Sequence, residues 1–198
     1  MDGNSEKFLG VVLEEDFHLS YPFVFESAGS IYMIPETHEA KEIRLYECIG
    51  FPLKWKLKTV LMKDVCAADS MVIKKDKSWF LFSNICSAGV ADHNSELHIF
   101  HSNELFTSDW EPLKVDNPVI FDSEMARNGG YFESNGDLYR VNQIHGKAHY
   151  GNAFGVNKIT QLDTGQYSEV RVKTVKPLFK DGITGTHHFN ANERIAVV

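Results

Sequence analysis

The amino-acid sequence predicts an all-β protein, a β-propeller of four-stranded antiparallel blades, and three observations carry that expectation. The stretch Tyr21–Ile34 returns in altered form at Asp69–Phe82, at Asn128–Val141 and, shortened, from His187 to Val198. Successive copies start about 48, 59 and 59 residues apart, within or just above the ~40–50 residues of a propeller blade. The runs between copies alternate polar and apolar residues with period 2, and little in the chain has helical periodicity. A small sheet cannot bury both of its faces alone, so repeated sheets without helices stack around an axis. A β-sandwich is the alternative; it would use the same strands but gives no reason for the repeat.

Leu9–Glu15 is β-prone and precedes the first full repeat, so it reads as an orphan strand. In the first repeat, Tyr21–Phe25 and Ile31–Ile34 flank the polar turn Glu26–Ser30, a hairpin signature in which Gly and Ser supply the turn. Pro35 ends the second strand. Glu42–Glu47 and Trp55–Leu61 alternate and supply strands three and four. The second repeat continues through Glu96–His101 and Trp110–Val115, and Trp110 stands where Trp55 stood. The third continues through Tyr150–Val156 and Tyr167–Val172. The expected organisation is one domain, residues 1–198, with an orphan strand at 9–15, blades at about 20–62, 68–116 and 126–175, and a partial blade at 184–198. A ring must close, either with the orphan strand and final hairpin sharing a fourth blade or as part of a five-bladed ring. The second is favoured, because the orphan strand reads as the outer edge of a blade whose start is absent. Open blade edges then imply a partner domain or self-association.

At 43% hydrophobic and 12% aromatic, the 198 residues can bury a sizeable core. A net charge of -7 without a basic stripe excludes a nucleic-acid partner. No apolar run reaches the ~20 residues needed for membrane insertion, and the first residues lack the pattern of a secretory signal. The cysteines Cys48, Cys66 and Cys86 are odd in number and lack metal-ligand spacing, which reads as reduced thiols in a cytoplasmic protein. No cofactor and no metal is expected. A site from His145, His149 and Asp92 would need a helix that the neighbouring glycines disfavour.

The segments Phe17–Phe25, Ile31–Thr37, Ala68–Ser70, Trp110–Leu113, Asn117–Val119 and Thr186–Asn190 resemble one family. It is the N-terminal domain of plant glucosamine inositolphosphorylceramide transferases and their bacterial relatives, some of which are joined to formyltransferase-like domains. That domain is in turn similar to the five-bladed propellers of glycoside hydrolase family 43 and related furanosidases. The resemblance implies a carbohydrate-related role, and it implies that a first blade is missing.

Chemistry is expected where the inner strands begin, at Tyr21, Asp69, Arg127 with Asn128, and His187 with His188, with Glu36 at the channel mouth. The related hydrolases place a base aspartate, an auxiliary aspartate and an acid glutamate on three such strands. By resemblance, Tyr21 stands in one carboxylate's place, Asp69 keeps a carboxylate, and Arg127 stands where the acid would be. Arginine stays protonated near neutral pH, so it cannot act as a general acid, and beside Asp69 it is expected to keep that carboxylate ionised. His187 and His188 are adjacent, so on a strand only one can face the channel. These residues suit recognition of a sugar, sugar acid or phosphosugar through charge-assisted hydrogen bonds. The leading expectation is a carbohydrate-binding or accessory propeller of a glycosyl- or formyl-transfer system. The alternatives are a furanosidase-like glycosidase, with Asp69 as its catalytic residue and a second carboxylate roughly 5–10 Å away, and a protein-interaction propeller with a broad apolar rim.

Overall fold

The computed structural model describes residues 7–87, 92–146, 150–179, 181–191 and 196–197. The first sheet runs β1 (Ser20–Ser27), β2 (Ser30–Glu36), β3 (Glu42–Gly50) and β4 (Lys54–Lys63), antiparallel and in chain order, with a 3-10 turn at His38–Ala40. The second runs β5 (Ala67–Lys75), β6 (Ser78–Ile85), β7 (Glu96–Ser102) and β8 (Glu111–Pro112), with β9 (Ile120–Phe121) also pairing β7. The third runs β10 (Asn128–Ser134), β11 (Asp137–Ile144), β12 (Ala153–Leu162) and β13 (Tyr167–Val175). A hairpin of β14 (Asn190–Ala191) and β15 (Ala196–Val197) follows. These are propeller blades, each wound outward from its first strand.

The core lies between blades. Ile34, Ile43, Leu45 and Leu61 of the first sheet and Met71, Ile73, Leu81, Phe82, Leu97 and Ile99 of the second are buried in one cluster. Phe23 of β1 reaches Tyr131 of β10, with ring centroids 5.9 Å apart, so the first strands of the outer two sheets meet across the axis. The outer strands are amphipathic: β13 leaves Val170 and Val172 exposed but interleaves them with Glu169, Arg171 and Lys173. Charges on an open edge discourage pairing with another chain.

Two expected strands differ. Residues 9–15 form no strand among the described residues; Leu9, Val11 and Val12 stay exposed. The segment is instead tied through Glu15, which accepts from Tyr46 Oη (2.6 Å) and pairs with Arg44 Nη1 (3.5 Å). The outer strand expected at 110–115 shrinks to Glu111–Pro112, since Pro112 brings no N–H to the ladder. The rest of the β7 edge is covered piecemeal. Leu113 N donates to Ile99 O, the Asn117 side chain receives from Ile99 N and gives to Ile99 O (both 3.0 Å), and Val119 N donates to Leu97 O. A side-chain amide thus mimics a strand residue. The repeat persists where the strand does not: Trp55 Nε1 donates to Pro52 O and Trp110 Nε1 to Thr107 O, the same i to i−3 clasp in both blades.

The terminal segment lies directly on β10. Phe189 N donates to Gly129 O (2.8 Å), and a Cβ on Gly130, whose φ is +118°, would sit 2.1 Å from Phe189 O. Gly130→Ala is therefore expected to lower stability by about 3 kcal/mol, from backbone strain and a contact that only backbone movement relieves. A shift in urea midpoint measures it. An unchanged midpoint would mean that residues 187–189 do not pack here in solution.

Candidate functional site

Each blade's first strand begins with a slip in register, between Ser20 and Phe23, between Ala68 and Met71, and between Asn128 and Gly130. A bulge re-aims the residue that carries it. Here the three equivalent residues are Tyr21, Asp69 and Asn128, and the structure brings all three together. Tyr21 and Asp69 both adopt left-handed backbone, with φ of 42° and 46°, an uncommon conformation outside glycine.

Asp69 is the centre of the cluster. Its Oδ2 accepts from Arg127 Nε at 2.6 Å and from Gln143 Nε2 at 2.7 Å, and its main-chain oxygen accepts from Asn128 Nδ2 at 2.9 Å. The Glu36 carboxyl, at the end of β2, is near enough to act on its charge. Only 2% of Asp69 is exposed. Burial pushes its carboxyl up to about 7, Arg127 pulls in the other direction, and Glu36 adds to the rise. The expectation that Arg127 holds Asp69 ionised is thus opposed by burial and by Glu36. Loss of water outweighs one cation when a second carboxyl stands beside it.

Arg127 keeps its charge: burial opposes it, and Asp69 more than offsets that cost. Its Nη1 donates to Asn94 Oδ1 at 2.9 Å, and no described residue takes Nη2. Asn128 is a fastener between blades. It is fully buried, its main-chain N–H donates to Asn84 Oδ1, and its Oδ1 accepts from Arg140 Nη1. Tyr21 is half-buried with its hydroxyl buried and unpartnered among the described residues, and burial followed by the charge of Asp69 raises its pKa. Glu36 is buried and pairs with His38 Nδ1 at 2.9 Å. The His38 ring is 5.7 Å from that of His93, whose Nε2 lies 3.3 Å from Cys66 Sγ.

The two adjacent histidines part company. His188 packs edge-on against Tyr21, with centroids 5.1 Å apart, and His187 packs edge-on against Tyr150 at 4.8 Å. Backbone bonds from Thr186 N to Gly151 O and from Phe189 N to Gly129 O set that split. Tyr150 is the residue that sequence reasoning missed. The residue is 63% exposed, and its ring stacks on His145 at 4.6 Å and lies 5.9 Å from the Arg127 guanidinium. Burial and the neighbouring Arg127 push His145 down to about 4, and burial likewise lowers His187 and His188. At neutral pH these three rings are uncharged. Gln143 was also missed; its place on β11 opposite Arg127, to whose main-chain oxygen its backbone N–H donates at 2.8 Å, follows only from strand register. Among the described residues no three His, Cys, Asp or Glu side chains gather as a metal site, and His149 lies outside the described residues.

A separate cleft of about 550 Å³ opens between β1, β10 and β14, lined by Phe25, Tyr131, Phe132 and Phe189 with Glu26 and Glu133. It is aromatic and acidic, and it lacks the Asp69–Arg127 group.

The sequence matches the family described as glucosamine inositolphosphorylceramide transferase 1, N-terminal, over residues 1–192. The chain belongs to this family. Glucosamine inositolphosphorylceramide transferase 1 of rice, Oryza sativa subsp. japonica, is 39% identical over 173 residues, which are 86% of this chain and 23% of the relative. The chain thus spans about a quarter of that relative's length. The propeller fold of this N-terminal region is shared with glycoside hydrolases of family 43. An exo-β-1,3-galactanase from Clostridium thermocellum superposes with a TM-score of 0.56 at 15% identity, over 74% of this chain and 33% of the enzyme. An α-L-arabinanase from Cellvibrio cellulosa, solved with arabinohexaose, superposes with a TM-score of 0.53 at 12% identity, over 82% and 62%.

Proposed function

We propose that this chain is the carbohydrate-binding propeller of a glycan-modifying system, and that it holds a sugar-type ligand at the channel mouth between Arg127 and Tyr150. One observation carries the reading: an exposed aromatic ring stands beside a guanidinium that has Asp69 and Asn94 on two of its nitrogens and no partner on Nη2 among the described residues. An aromatic face packs against the C–H face of a sugar ring, and a guanidinium forms strong bonds to ring hydroxyls, carboxylates or phosphates. The uncharged rings of His145 and His187 add neutral donors and acceptors around it. Membership of a transferase family supports a place in glycosyl transfer, and the formyl-transfer alternative rests on the family resemblance alone.

The same geometry argues against the glycosidase reading. Glycoside hydrolysis needs two carboxyls about 5–10 Å apart with substrate between them. Asp69 is closed over by Arg127 and Gln143, and the nearby Glu36 is itself paired with His38. The interaction-module reading has one observation in its favour, a patch of exposed Val11, Ile49, Phe51 and Leu53 where the N-terminal segment passes the β3–β4 turn.

Calorimetric titration against neutral, amino, acidic and phosphorylated sugars tests the proposal. Binding is expected, and Arg127→Ala is expected to weaken it about 10- to 100-fold, the worth of one or two charge-assisted hydrogen bonds. Absence of binding across the panel would overturn it in favour of the interaction module. Release of a sugar from a glycan, lost in Asp69→Asn, would overturn it in favour of the hydrolase.

A further inference from the structure

Cys66 and Cys86 are twenty residues apart in sequence, with nothing in their spacing to join them. The structure places them face to face. Ala67 pairs with Ile85 and Ala68 with Asn84 across β5 and β6, so the register sets Cys66 opposite Cys86, and Cys86 N donates to Cys66 O at 3.2 Å. Directly opposed residues on antiparallel strands point to the same face. A hydrogen-bonded antiparallel pair has Cα atoms about 5.5 Å apart, at the centre of the range that a disulfide spans. Cys66 lies one step before the first residue of β5 and Cys86 one step after the last residue of β6, so both stand at the same open end of the hairpin. Cys66 is exposed and Cys86 partly so, which gives an oxidant access. Cys48 sits on β3 in another blade.

We propose that Cys66 and Cys86 form a reversible cross-strand disulfide at the channel mouth, closed by a low-molecular-weight disulfide such as oxidised glutathione. The Cys66 sulfur attacks one sulfur of oxidised glutathione while its proton passes to His93 Nε2, 3.3 Å away, and one glutathione leaves as thiolate. The Cys86 sulfur then gives its proton to that glutathione thiolate, attacks Cys66 in the mixed disulfide and expels the second glutathione, which takes up the proton held on His93. Two protein thiols and one glutathione disulfide become one protein disulfide and two glutathione thiols, so electrons and protons balance. Burial holds the Cys66 thiol above its usual range and lowers His93, so closure runs faster as pH rises toward 8. Closure takes Cys66 from His93, and His93 touches His38, which holds Glu36 beside Asp69. The redox state of the pair therefore reaches the channel cluster whatever ligand that cluster takes.

The test is to incubate the full chain with oxidised glutathione at pH 8, alkylate the remaining thiols, and map peptides by mass spectrometry without reduction. A 66–86 crosslinked peptide in monomeric protein is expected, two of the three thiols being lost to alkylation, with the same crosslink in Cys48→Ser. Cys86→Ser is expected to stop with glutathione retained on Cys66. Full alkylation of Cys66 and Cys86 in the parent, stable glutathione on Cys66 in the parent, or a crosslink through Cys48 would each overturn the proposal. None of these readouts depends on sugar binding.

Discussion

Glu169→Ala is expected to lower stability by about 3–5 kcal/mol, the cost of leaving a buried charge without its partner. Arg140 is fully buried, and Glu169 receives it bidentately, from Nε at 2.8 Å and Nη2 at 2.6 Å. The other donors are also taken: Nη2 reaches Met125 O at 2.6 Å, and Nη1 reaches Ala126 O and Asn128 Oδ1 at 3.2 and 3.3 Å. Tyr167 Oη closes the group by donating to Glu169. Burial works against the Arg140 charge and Glu169 outweighs it in the parent; in the variant the guanidinium stays charged because arginine does not give up its proton in proteins. Alanine would leave that charge facing carbonyls alone. The loss should appear as a lower urea midpoint with an unchanged slope. The double variant Arg140→Met with Glu169→Leu should recover most of it, because removing both partners also removes the cost of burying them. A single variant as stable as the parent would show that water reaches Arg140 in solution. Since Met125 and Ala126 directly precede Arg127, the single variant should also weaken ligand binding while the double restores it only in part.

The repeat was legible because each blade obeys the same local rules: a polar turn between β-prone runs, then alternation. Its chemistry was legible only at the repeat's first residue. Tyr21, Asp69 and Asn128 occupy equivalent positions, so one alignment finds them all, and Arg127 is found as their neighbour in sequence. Glu36, a residue past Pro35, was found by its place at a strand end. Gln143 and Tyr150 have no such mark. Gln143 meets Asp69 through a hairpin register that a bulge has shifted, and Tyr150 is placed by a turn held from outside by Thr186 N on Gly151 O. The failed strand at 9–15 has the same origin. Its residues have β propensity, but pairing depends on a free neighbouring edge, which lies outside the local sequence. The charge state of Asp69 was not legible, because sequence supplies the cation beside it and says nothing of the water removed around it.

That charge state gives the second large effect. A carboxyl whose folded pKa is raised binds its proton more tightly in the folded state, so it contributes stability at pH below about 4 and loses it as pH rises through about 7. The rise from 3.8 to about 7 is worth on the order of 4 kcal/mol across that window. His145, lowered to about 4, acts with the opposite sign: its contribution is lost as pH falls from about 6.5. The parent curve alone therefore mixes the two, and the informative quantity is the difference between the parent and Asp69→Asn. The carboxamide keeps an oxygen for Arg127 Nε and Gln143 Nε2, as protonated Asp69 does, but it cannot ionise. Urea midpoints measured from pH 4.5 to pH 8 should show the variant gaining on the parent steadily as pH rises, with most of the gain made by pH 7. A difference independent of pH would mean that Asp69 is ionised throughout. Arg127 would then be outweighing burial after all, and the channel mouth would carry one more negative charge toward any anionic sugar.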